Sequence, residues 1–206
     1  MSTNNLKKSS LAAGAIAVMT GTAQAARRNR GVNRLIARIK DSDAETRTKA
    51  WQSAGDIGAP AVQPLAIVMT DDDLEVARAA KRAMWKIVRH TGRPGAGKAK
   101  TAVVGKLCGL LGADQPVSVR REVLWMLSEI GGTRSIRPLA ELLSDKNLRE
   151  DARGALERIP IARAVQALKA GFETAPEDFK PNLAQSLRKR GVKVEGYPCV
   201  KLVPTK

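Results

Sequence analysis

The sequence is poor in the residues that build metal sites and large-ring cores. Its one histidine leaves a zinc centre short of ligands, and its two cysteines, Cys108 and Cys199, match no metal or redox spacing. They allow at most one disulfide, in an oxidising compartment. Aromatic residues make up only 3% of the chain, so the core has to come from Ala, Leu, Ile and Val at high density. That composition suits closely packed helices. Acidic charge is also short, since 36 Lys and Arg face 20 Asp and Glu, a formal +16 over 206 residues. No nucleophile–base pair, metal cluster or cofactor fingerprint stands out. The expectation is a non-enzymatic binding protein with no catalytic, cofactor or metal site.

The most apolar stretch, Leu11 to Met19, follows Lys7 and Lys8 and leads into Ala23, Gln24 and Ala25. A charged start, a short apolar centre and small residues three and one before a cut are the layout of a secretory signal peptide, with cleavage after Ala25. The run falls short of the roughly 20 residues a spanning helix needs. Export to the periplasm, cell envelope or medium is therefore expected. Loss of residues 1–25 removes Lys7 and Lys8 and no acid, which lowers the formal charge from +16 to +14. Such an excess favours an acidic protein or an anionic envelope macromolecule as partner. Nucleic acid is disfavoured, because an exported protein is kept from it.

What the chain does contain is an internal repeat. Val119, Val123, Met126, Leu127, Ile130 and Gly131 superimpose on Leu148, Ala152, Ala155, Leu156, Ile159 and Pro160. The frame recurs as Thr46, Ala50, Ser53, Ala54, Ile57 and Gly58, as Val76, Ala80, Ala83, Met84 and Ile87, and more weakly as Phe179, Leu183, Ser186, Leu187 and Gly191. Small or aliphatic residues at steps of four, three, one and three make one apolar stripe of a helix. Between these A helices a second element recurs, with AVQPLAIVMTD (61–71) matching SIRPLAELLSD (135–145). Looser B-helix copies lie at 103–112 and 164–172, and 33–41 is an opening copy without its own A helix. Gly58, Gly131 and Pro160 stop the A helices, while Asp73, Asp114 and Asp145 stand where the next A helix begins.

The run RREVLWMLSEIGGTRSIRPLAELLSD (120–145) resembles a HEAT repeat of the short type found in bilin-lyase-like proteins, and the likeness extends over roughly residues 32–190. The resemblance implies an all-α fold, a right-handed solenoid of stacked antiparallel helix pairs with a concave surface lined by B helices. It also implies that Arg47, Arg120 and Arg149 pair with turn aspartates, for which Asp41, Asp114 and Asp145 are placed; Ala77 breaks that ladder. Stacking follows on physical grounds too, since one hairpin cannot bury its apolar face alone. The resulting plan is a signal peptide at 1–25, a basic segment with a half-repeat helix at 26–43, the array at 44–190 and an extended tail at 191–206. Residues 91–100 (TGRPGAGKAK) are expected to form a mobile Gly- and Lys-rich loop within the array.

Several features stand out as binding candidates. Arg27, Arg30, Arg34 and Arg38 step by three and four and would form one positive stripe if the helix reaches that far, suited to phosphates or carboxylates. A solvated capping face is the alternative. A second basic cluster, Arg188, Lys189, Arg190 and Lys193, lies at the other end. Trp85 and Trp125 fall where sister repeats carry polar residues, so each is either packed under a neighbour or exposed for recognition. Trp51 is more easily a packing residue, and Cys108 a small buried one. Gly92, Gly97 and Lys98 have P-loop spacing, but Ala99 stands where a hydroxyl is needed and the preceding segment is helical. Two other functions stay open. One is a nucleic-acid-binding, DNA glycosylase-like protein using Asp56, Glu122 or Glu129; the other is a chromophore lyase, for which only the generic repeat speaks.

Overall fold

The computed structural model describes residue 24 and residues 26–198. The proposed cleavage site at Ala25, residues 1–23 of the signal segment and residues 199–206 with Cys199 lie outside the described residues. Those described form ten α-helices and no strand. They are α1 (26–39), α2 (Ala44–Ser53), α3 (Val62–Val68), α4 (Leu74–Gly92), α5 (Gly97–Cys108), α6 (Val117–Ile130), α7 (Thr133–Glu141), α8 (Arg149–Arg158), α9 (Ala162–Thr174) and α10 (Lys180–Lys189). The even-numbered helices pack each on the next as one layer, and α3, α5, α7 and α9 do the same as a second. This is an α-solenoid. Its core runs continuously from Val32, Leu35 and Ile39 of α1 to Leu183 and Leu187 of α10, and is almost wholly aliphatic.

Local chemistry sets the helix ends. Asp43 and Asp73 cap α2 and α4, accepting from Thr46 N at 2.7 Å and Glu75 N at 2.8 Å. At Gly131, which ends α6, a Cβ would overlap the Leu127 carbonyl oxygen and come within 2.8 Å of Ser135 Oγ. Only glycine lets the chain turn so closely onto α7.

The stretch 91–100 is not the exposed loop its composition predicts. α4 continues to Gly92, with the buried Thr91 hydroxyl donating to the Ile87 carbonyl at 3.0 Å, and α5 begins at Gly97. Only residues 93–96 turn, with Gly95 at φ 80°. The surplus residues lengthen α4 to 19 residues and α5 to 12. α4 packs on both α2 and α6, and α5 on both α3 and α7, so stacking runs through the insertion.

The repeat-locked arginines do structural work between units. Arg149 Nη2 lies 2.6 Å from Asp178 Oδ2, and Arg120 Nη2 lies 3.3 Å from Asp145 Oδ2 while its Nε donates to the Leu111 carbonyl. Arg47 instead donates to the Asp41 and Ser42 carbonyls, both at 2.8 Å. Asp114 takes no arginine among the described residues and accepts from Gln115.

The four C-terminal basic residues also have internal partners, Lys193 through an exposed pair with Glu195 at 3.4 Å. Arg190 donates to the Glu157 and Ile159 carbonyls at the end of α8, Arg188 to the Val194 and Tyr197 carbonyls, and Lys189 to Glu157. The tail from Gly191 to Pro198 is non-helical, with Val192 and Val194 packed on the core. Tyr197 donates to Glu177 and meets Phe172 edge-on, its ring centroid 5.6 Å away. Cys108 is half-buried against the core, and burial pushes its thiol up.

Candidate functional site

The A-helix layer carries two grooves, and each contains tryptophan. The first lies between α2 and α4. Its volume is about 440 Å³, and Trp51, Arg78, Lys81, Arg82, Trp85, Lys86 and Arg89 line it. α4 turns its Val76–Ala80–Ala83–Met84–Ile87 stripe to the core, so the basic residues at intervening positions face out. Arg82 lies 6.0 Å over the Trp51 ring and Arg89 5.4 Å over Trp85. The Trp85 indole donates to Glu122 Oε1 at 2.6 Å, and Lys81 pairs with the other oxygen of that carboxylate at 2.6 Å. Arg78 pairs with Glu75. Arg82, Lys86 and Arg89 have no carboxylate partner among the described residues. The buried Trp51 Nε1 has no hydrogen-bond partner either.

The second groove, about 430 Å³, crosses α6, α8 and α10. Trp125 stands at its edge, 53% exposed. Its carboxylates are matched, and of its cations only the exposed Arg158 has no carboxylate partner among the described residues. Glu157, whose side chain is only 11% exposed, accepts from Lys189 at 2.6 Å, Ser186 at 2.7 Å and Arg153 at 3.1 Å. Glu150 takes Arg153 Nε and the Asn182 amide, and Asp151 takes Arg121. This network ties α8 to α10.

Burial works against the charged form of Glu157, but the hydrogen bonds from Lys189 and Ser186, with the Arg153 charge beside them, hold its carboxyl below the usual range. A carboxyl lowered on folding contributes stability that is complete above its unfolded value and is lost as pH falls through the folded one. The melting temperature is therefore expected to drop on acidification below about pH 4.3, the unperturbed glutamate value. Glu157→Gln should lower the neutral-pH melting temperature and flatten that acid limb. Circular dichroism melts across the range check this; an acid limb as steep as the parent's would contradict it.

The N-terminal arginines share one helix, as their spacing predicts, because α1 extends through residues 26–39. Arg27 lines a cleft of about 930 Å³ at the hairpin-turn edge with Arg28, His90, Arg93 and Lys106. Arg34 and Arg38 border a smaller groove, of about 240 Å³, with Ala50 and Ser53 of α2 and with Ile57 beyond it, and Gly31 belongs to both hollows. Arg30 is exposed on the same helix. None of the four meets a carboxylate among the described residues. The structure does not bring this stripe into either tryptophan groove, and Trp85 and Trp125 occupy different grooves. The basic face of α4 was missed by sequence reasoning. Its signal was available, since Arg78, Arg82, Lys86 and Arg89 recur at steps of four, four and three on the side opposite the stripe.

Of the carboxylates a glycosylase-like site would need, Glu122 is held by Lys81 and Trp85, while Asp56 and Glu129 are exposed. Among the described residues no three His, Cys, Asp or Glu gather as a metal site, and no helix is long and apolar enough to cross a membrane.

Residues 119–145, which span most of α6 and all of α7, match the family model of the PBS lyase HEAT-like repeat. A comparison with curated proteins returns no match. Among solved structures, a designed armadillo repeat protein in complex with a (KR)4 peptide is 20% identical, covering 75% of this chain and 80% of that one, with a TM-score of 0.44. An engineered protein is 23% identical, covering 77% and 78%, with a TM-score of 0.40.

Proposed function

We propose that this HEAT-repeat protein is a non-enzymatic, exported scaffold that holds an anionic macromolecular partner, an acidic protein or envelope polymer, on its solenoid surface. The observation that carries the reading is that Arg27, Arg30, Arg34 and Arg38 on α1 and Arg82, Lys86 and Arg89 on α4 meet no carboxylate among the described residues, in a chain of formal charge +16. Elsewhere Arg120, Arg149, Arg188 and Arg190 are spent on carbonyls and turn aspartates. Unmatched guanidinium groups on a rigid helix are preorganised for carboxylate or phosphate, and their steering range shrinks with salt. Export rests on the layout of residues 1–25.

Two measurements test the reading. Fractionation of the native cells with intact-mass determination should find a chain beginning at Ala26 outside the cytoplasm; a full-length cytoplasmic chain removes the exported part. Titration with long polyglutamate should show tight, salt-sensitive binding. Arg30→Ala/Arg34→Ala/Arg38→Ala should weaken it and make the dependence on salt shallower. Parent-like affinity and salt dependence would remove α1 from the binding surface.

A further inference from the structure

We infer that the groove between α2 and α4 receives an extended acidic peptide segment of the partner, with its carboxylates seated along Arg82, Lys86 and Arg89. The inference rests on the scaffold reading above and assigns its partner class and its site. Three surfaces compete for the role, and two lack a feature that this groove has. The α6–α8–α10 groove is lined by as many carboxylates as cations, and only Arg158 among them is left unmatched. The α1 arginines line hollows without an aromatic wall. Between α2 and α4, three cations lack carboxylates and stand beside two indole rings in one channel.

Spacing matches the proposed occupant. On a helix, residues four apart are separated by about 6 Å along the axis. Alternate side chains of an extended peptide repeat on one face every 6.6–6.8 Å or about that. Acidic residues at every second position therefore keep pace with Arg82 and Lys86, and Arg89 lies within one further turn. Each guanidinium can make paired hydrogen bonds to a carboxylate.

Chemistry favours carboxylate over nucleobase. The groove's margin already holds two carboxylates of this chain, Glu75 on Arg78 and Glu122 on Lys81. Binding of single-stranded nucleic acid draws its affinity from bases stacked on open aromatic faces. Here Arg82 and Arg89 lie over the rings. The stacked guanidinium groups are held in place by the indoles, so less side-chain freedom is lost when a carboxylate binds.

The test uses fluorescence anisotropy of a labelled peptide of about eight residues with Glu at alternate positions. Oligothymidylate of similar length is run in parallel. Arg82→Ala/Lys86→Ala/Arg89→Ala should weaken the peptide by about tenfold or more, which corresponds to 1.4 kcal/mol or above. All three side chains are exposed, so the melting curve should stay near the parent's and separates lost binding from lost folding. Arg30→Ala/Arg34→Ala/Arg38→Ala removes the same charge and should change the peptide affinity by less than about threefold, an effect of net charge alone. Equal losses in the two variants would overturn the groove assignment while leaving the scaffold reading intact. Oligothymidylate binding tighter than the peptide, and lost in the α4 variant, would give the groove to nucleic acid instead. Parent protein that binds neither the short peptide nor long polyglutamate would overturn both readings.

Discussion

Replacing Leu139 by Ala is expected to lower the unfolding free energy by about 2–5 kcal/mol, because the side chain is fully buried and its loss leaves a cavity. Leu139 lies on α7, which packs against α5, α8 and α9, so the cavity would open at the junction of three units. In a solenoid each repeat is stabilised chiefly by its neighbours, and a defect in the middle uncouples both sides. Denaturant titration should show a lower midpoint, a shallower transition, or both. A midpoint equal to the parent's would contradict the alignment of 135–145 with 61–71, which places Leu139 over the equally buried Leu65.

Phe179→Ala is expected to cost about 3–5 kcal/mol, at the upper end for a core substitution. Phe179 is the only aromatic residue among the largest fully buried side chains of the described structure, and it precedes α10. Its ring also lies 4.7 Å beneath the Arg149 guanidinium, which pairs with Asp178. Phe179→Leu keeps an apolar filler but removes the stack, and should cost about 1.5 kcal/mol or less. The difference between the two variants separates volume from cation–π attraction. Because Phe179 belongs to the last unit, the loss should be local: hydrogen exchange is expected to speed up in α9 and α10 before α2 to α4. Uniform acceleration along the array would show that the solenoid unfolds as one cooperative block.

The helices were legible because their signal is repeated. Val119, Val123, Met126 and Leu127 mark one stripe, and its recurrence at 46, 76 and 148 averages out local ambiguity. The insertion at 91–100 was misread because Gly, Pro and Lys are local punctuation, whereas what decides that region is tertiary. α4 runs on through the buried Thr91 where it packs on α6, and Gly92 lies near Ile130, where an added Cβ would sit 3.2 Å from Cγ2. Composition shows Arg188 and Arg190 only as part of a basic cluster, and only the fold shows that they hold carbonyls of the tail and of α8.

Period and composition by themselves determined that this chain is helical, that its A and B helices alternate, that its core is aliphatic and that its surface is strongly positive. These properties depend on residue type and spacing, which a linear chain displays in full. Beyond the pairs three or four residues apart, which cations are matched was decided by the tertiary structure. Glu122 lies about 40 positions from Lys81 and Trp85, yet stacking of α6 on α4 brings it to both, while Arg82, Lys86 and Arg89 are left facing a groove. Charge balance at a surface depends on which side chains are neighbours in space, and that information exists only after the helices have packed.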